Sequence, residues 1–159
     1  VLGATEDWAL FFHLVGAFLF VGGAIVASVA FEVARRRTRP SEIALLLGLT
    51  RVGVLLVALG SVILLPFGLW LVHLGRIGYG TGWVDAAFGL FVVASVIGGI
   101  GGQRPKRARR LAEQLAREGD VETVELRTLL DDRLALLLNY ASAVLVVGIV
   151  VLMAFKPGS

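Results

Sequence analysis

The stretch WALFFHLVGAFLFVGGAIVASVAF, residues 8–31, runs for 24 residues without an Asp, Glu, Lys or Arg. A helix of that length rises about 36 Å, enough to cross the roughly 30 Å hydrocarbon layer of a bilayer. Three further runs match it. Residues 52–74 and 134–155 carry no charge, and residues 83–102 carry only Asp85. Four such runs predict an all-α membrane protein, an antiparallel four-helix transmembrane bundle. The expected helices cover about 8–34, 43–74, 83–102 and 121–155 of a single domain over 1–159. A helical hairpin at 104–132 is expected between helices 3 and 4.

The composition agrees with this reading. Of 159 residues, 57% are hydrophobic and 17% charged, with a mean hydropathy of +0.87. A soluble domain of this size needs far more polar surface. The net charge of +3 is unevenly placed. Arg35, Arg36, Arg37 and Arg39 follow the first run, and eight more Lys or Arg lie between Gly102 and Leu134. The second connection holds only Arg76 and the tail only Lys156. The positive-inside bias therefore puts the basic loops in the cytoplasm and both termini outside, in a plasma membrane. These arginines are read as lipid-facing and solvated, with no nucleic-acid partner. There is no cysteine, which excludes disulfides and thiolate chemistry. The VLGATED lead-in lacks a basic n-region and runs straight into a span, so no separate cleavable signal is expected.

Local signals refine the map. Pro40 is read as the stop of helix 1, Pro66 as a kink in helix 2, Gly119 as a helix stop and Asp120 as the N-cap of the helix after it. Leu111, Leu115, Val121, Val124 and Leu129 are read as the apolar seam of the hairpin. Ala94, Gly98 and Gly102 recur every four residues, as do Ser95 and Gly99. Such a small-residue face lets another backbone approach closely, and a homodimer through helix 3 is the expected consequence. The basic segment 104–132 is also a candidate docking site for a cytoplasmic partner.

Chemistry-bearing residues collect at the outer end. His13 lies five residues below Trp8, about 7 Å beneath the boundary. His73 and Met153 fall near the outer ends of helices 2 and 4, and Asp85 near the start of helix 3. Imidazole and thioether suit haem iron or copper. His13, His73 and Met153 are therefore the candidate metal ligands. Gly16 is read as room for a macrocycle, and Arg76 as a partner for a haem propionate. The alternative for His13 is a hydrogen bond to a carbonyl, or to the Ser142 hydroxyl, on a neighbouring helix. Asp85 suits a helix N-terminus. At the inner end, Glu32 and Arg51 are expected to pair between helices 1 and 2, with Glu32 and Tyr140 as relay groups in a rival proton-pathway reading. No catalytic set is legible: there is no paired carboxylate in a cleft, no HExxH, and no nucleophile beside a base.

With FHLVGAFLFVGG in helix 1 and the basic third connection, the chain resembles a family of bacterial predicted integral membrane proteins with four spans. Helix 1 is also distantly similar to that of CopD-type copper-resistance proteins and HemJ-type proteins. That likeness implies His13 as a haem or copper ligand. Phe20 stands where those relatives more often have tryptophan, and the other polar residues of HemJ-type enzymes have no counterpart here, so protoporphyrinogen oxidation is not implied. The reading that follows is a membrane haem b protein for electron transfer or haem handling near the outer face, with His13 and His73 as axial ligands. Copper handling or small-solute transport is the first alternative, and a non-catalytic membrane subunit or scaffold the second.

Overall fold

The computed structural model describes residues 3–74 and 82–155. All regular structure among them is helical: α1 (Ala4–Arg35), α2 (Pro40–Leu74), α3 (Gly82–Gly101), α4 (Gln103–Arg117), α5 (Val124–Leu130) and α6 (Arg133–Phe155). Four helical stretches are long and apolar enough to cross a membrane. They are α1, α2, α3 continued by α4, and α5 continued by α6.

Helix α1 starts where Glu6 accepts a hydrogen bond from the Gly3 N–H at 3.2 Å. Glu6 and Asp7 set negative charge against the positive end of its dipole. It ends at Arg35, four residues short of Pro40. Pro40 does not stop α1; it opens α2, at the one helical position where a missing N–H costs nothing. Helix α2 then continues through Pro66 to Leu74.

The strongest packing lies within two hairpins, α1 with α2 and α3 with α6. In the first, small residues recur every seven positions: Ala9, Gly16, Gly23 and Ala30 on α1 are buried, as are Gly53 and Gly60 on α2. A Cβ added at Gly60 would sit 2.5 Å from the Phe20 nitrogen, and one at Gly23 would sit 2.6 Å from the Gly53 carbonyl oxygen. The two backbones touch, which is how helices gain dispersion energy where water supplies no drive. In the second hairpin, a Cβ at Gly98 would lie 3.4 Å from the Ser142 hydroxyl, and that hydroxyl donates to the Ala94 carbonyl at 3.4 Å. Ala94 and Gly98 thus face α6 of the same chain, whereas Ser95 and Gly99 of the small-residue face are exposed.

The hairpins meet at mid-depth through Phe20 and Phe91, with ring centroids 5.5 Å apart, backed by Val146 and Ile149. At the basic end they are joined by a second apolar cluster. It unites Phe31 and Ala34 of α1, Ile43 and Leu47 of α2, Ala108 and Ala112 of α4, and Leu126 and Leu130 of α5. Leu111, Leu115 and Leu129 pack on it as the sequence indicated. Val121 and Val124 do not; they are 71% and 85% exposed. The seam switches to Leu126 and Leu130 because the helix starts later than expected.

The segment α4–α5 clasps the open ends of the first hairpin. Gly119 ends α4 at φ 126°, and Asp120 follows at φ 58°, a conformation Asp tolerates better than most residues. Asp120 caps no helix of its own segment. Its carboxylate accepts from the Ser41 N–H and the Ser41 hydroxyl, both at 2.7 Å, and so caps the N-terminus of α2. Thr123 caps α5 instead, accepting from the Leu126 N–H. Arg127 donates to the Arg35 and Arg37 carbonyls at 2.7 and 3.0 Å, satisfying the C-terminal end of α1. Anion meets helix start and cation meets helix end. The fourth expected helix is divided: α5 stops before Asp131, and Asp132 caps α6 by accepting from the Leu134 and Ala135 N–H groups.

Two outcomes follow. Gly60→Val should force the hairpin apart and cost about 1–3 kcal/mol in thermal unfolding, whereas Gly89→Val, at a position with open space around it, should leave the transition in place. The Asp120 carboxyl is held below its usual range by the Ser41 hydroxyl first, then the Ser41 N–H and the charge of Arg39. A depressed carboxyl stabilises above its unfolded pKa and loses that contribution as pH falls through the folded value. Asp120→Asn should therefore lower stability at neutral pH and flatten the acid limb below about pH 4, read by thermal unfolding across pH.

Candidate functional site

The spans leave a cavity of about 630 Å³ between the hairpins, in the half of the molecule away from the basic end. All four crossing segments line it, from His13 and Phe20 on α1, Gly68 on α2 and Phe91 on α3 to Met153 on α6. Its floor is the Phe20–Phe91 contact. Among the described residues, the packing between the hairpins lies at mid-depth and at the basic end, below this cavity.

His13 and Glu6, the latter two turns nearer the chain start, are the ionisable residues of this lining. Its Nδ1 lies 3.1 Å from the Leu64 carbonyl oxygen of α2. A carbonyl only accepts, so Nδ1 donates here, and in the neutral ring this tautomer leaves the Nε2 lone pair free. The carbonyl bond weighed for His13 as an alternative role is therefore present, and it leaves the second ring nitrogen available. The ring rests against Gly68, where a Cβ would lie 3.0 Å from both Nδ1 and Cε1. Gly68 was not singled out from the sequence. Its signal, a glycine two residues after a proline in a span, is ordinary; only the imidazole across the interface gives it a role.

Met153 shares the cavity with His13. The contacts Phe20–Phe91 and Gly148–Leu90 set the register of α1, α3 and α6, and it brings Met153 to within about one helical turn of the depth of His13. His73 is not brought to the site. It is exposed and outside the lining, and since His13 is level with Leu64, the nine residues from Leu64 to His73 place it about 13 Å further along the axis. Gly16 does not border open space, because a Cβ there would meet the Leu64 nitrogen at 2.6 Å. The room it makes is taken by α2. Arg76 lies outside the described residues. Asp85 is exposed in the first turn of α3, as a helix N-terminal charge. Among the described residues no three His, Asp or Glu side chains group as a metal site.

The inner polar pair forms differently from the expectation. Glu32 is bound by Arg35 at 2.9 Å and Arg36 at 3.1 Å on its own helix, and it accepts from the Tyr140 hydroxyl of α6 at 3.3 Å. Arg35 in turn reaches Asp131 at 3.3 Å. Arg51 takes no part and has no ion-pair partner among the described residues. It precedes Gly53, which faces α1, by two residues, and so points about 160° away from that helix.

A family model described as predicted integral membrane protein (DUF2269) matches residues 8–157. The chain belongs to this family. No curated protein and no solved structure matches it. The family carries the membrane assignment over almost the whole chain. The likeness of helix 1 to CopD-type and HemJ-type proteins finds no support in these comparisons.

The shelf under the imidazole makes a local prediction. Gly68→Leu should displace the His13 ring and break its bond to Leu64, which nitrogen-15 NMR of labelled histidine would register as loss of the fixed Nδ1–H tautomer. Gly68→Ala, at a 3.0 Å approach, should shift the signal less.

Proposed function

We propose that this protein is an integral membrane haem b-binding protein, holding the macrocycle in the cavity between its two hairpins. His13 would hold it through Nε2, and Met153, which lines the same cavity, would be the second ligand in place of His73. The observation carrying this reading is the imidazole whose Nδ1–H is tied to the Leu64 carbonyl while an apolar cavity of about 630 Å³ lies beside it. Metal-bound histidines characteristically donate their second ring nitrogen to a carbonyl or carboxylate, which fixes the ring and raises its basicity. The volume lies inside the range of about 300–1,000 Å³ typical of small-molecule sites. It exceeds what a bare copper ion needs, and two soft donors are few for copper, so the macrocycle is favoured over the metal alone.

Haem would supply a one-electron couple whose potential the axial pair and the dry surroundings set. This chain's own residues do the rest: Leu64 orients the imidazole, Gly68 gives the ring its place, and Phe20 with Phe91 closes the floor. Electron transfer or haem handling at the end opposite the arginines is the corresponding role, with the basic end in the cytoplasm and both termini outside.

The test is an absorption spectrum of detergent-purified protein from haem-replete cells, oxidised and reduced, with iron and copper analysis. Stoichiometric haem with sharp reduced bands is expected. His13→Ala should remove the haem, Met153→Leu should keep it but convert it to a high-spin spectrum, and His73→Ala should change neither. A colourless, metal-free protein, or full haem content in the His13→Ala variant, would overturn the proposal and favour the scaffold reading. Copper without haem would favour metal handling.

A further inference from the structure

The cavity between the hairpins has a charge character as well as a shape. Glu6, half-buried, stands at its outer mouth, and among the described residues no Lys or Arg lines it. The Glu6 Oε2 accepts from the Gly3 N–H at 3.2 Å, and Oε1 has no hydrogen bond or ion pair among the described residues. The other charges described at this end have the same sign: Asp7 in the first turn of α1 and Asp85 in the first turn of α3 are exposed. His13 donates its Nδ1–H to Leu64, so its neutral ring presents the cavity with an acceptor only. Below the mouth the walls are apolar, with the rings of Trp83, Phe88 and Phe91 on α3. These walls also meet lipid: Leu14, Phe88 and Val150 line the cavity and are 48%, 50% and 49% exposed.

A molecule that enters this space from the bilayer must be apolar over most of its surface, because a polar group buried there finds few partners. At the mouth it meets a carboxylate and no cation, so a charge carried at that end is positive. Aromatic faces attract a cation in the same way, through the negative face of the ring quadrupole. We propose that the cavity binds lipophilic organic cations, with the apolar body against the α3 rings and the positive centre on the Glu6 side. This goes beyond the haem reading, since it needs neither iron nor an axial ligand. The two ligands fill the same space and exclude each other.

The test uses the full chain in detergent, purified from haem-depleted cells. Tetraphenylphosphonium and tetraphenylborate are the probes, matched in shape and opposite in sign. Equilibrium dialysis against protein-free micelles reads the saturable part of their binding. One tetraphenylphosphonium per chain is expected, held several-fold more tightly than tetraphenylborate. Glu6→Gln keeps an acceptor for the Gly3 N–H and removes the charge. It should weaken the cation about fivefold, the upper end for a partly exposed ion pair. Ala17→Phe, which fills the cavity from α1, should abolish binding, and Asp85→Asn, a carboxylate outside the lining, should leave it unchanged. Thermal unfolding identifies a variant that fails to fold, in which case the two probes on the unaltered chain decide. Equal binding of the two probes, no saturable binding, or undiminished affinity in well-folded Glu6→Gln would overturn the assignment. Haem content is measured separately on protein from haem-replete cells. Haem without cation binding overturns this proposal alone, and cation binding without haem supports it while removing the haem reading.

Discussion

Backbone contact between α1 and α2 at Gly16–Gly60 and Gly23–Gly53 is the constraint on which the rest depends. Two helices without side chains between them lock in register, because any slide brings a Cβ into a carbonyl. That register puts His13 opposite the Leu64 carbonyl and Gly68, so the hydrogen bond of its ring follows from a packing decision made one turn away. It also turns Arg51 away from α1. One interface thus sets both a polar group facing the cavity and a charge facing lipid.

Strength within hairpins and weakness between them explains the cavity. Inside a bilayer there is no hydrophobic drive to bring helices together, so contact goes to the surfaces that fit best. The best fits here are α1 with α2 and α3 with α6. Between them the Phe20–Phe91 contact, backed by Val146 and Ile149, holds mid-depth. At the basic end water is present, and there the α4–α5 clasp adds a conventional apolar cluster plus caps on two helix termini. The molecule is therefore tied at one end and spaced at the other. Glu32, pulled by Arg35 and Arg36 and met by Tyr140, adds a polar tie across the hairpins just below the clasp.

Much of the site was legible and some was not. His13 stood out because an imidazole in an uncharged 24-residue run has few reasons to be there, and its depth and that of Met153 followed from alternating helix direction. His73 reads as the second ligand only if the end of its helix lies near the site; the register sets it well above. Gly16 and Gly68 exchanged roles. Both are glycines about one turn from chemistry, and only the facing helix distinguishes filling by α2 from making room for a ring. The seven-residue spacing of Ala9, Gly16, Gly23 and Ala30 was readable but outweighed by the more familiar four-residue pattern in helix 3.

Hydropathy over 20-residue runs and the clustering of arginines determined by themselves that this chain is a four-span, all-helical membrane protein with one basic end. Those properties are one-dimensional: bilayer thickness acts on each segment separately, and backbone hydrogen bonds must close within it. Which helices pair, which carbonyl takes the histidine proton, where Asp120 caps and where Arg51 points were decided only by the tertiary structure. Each depends on which face of one helix meets which face of another. In lipid, where every face is apolar, sub-ångström fit between backbones makes that choice, and hydropathy carries no record of it.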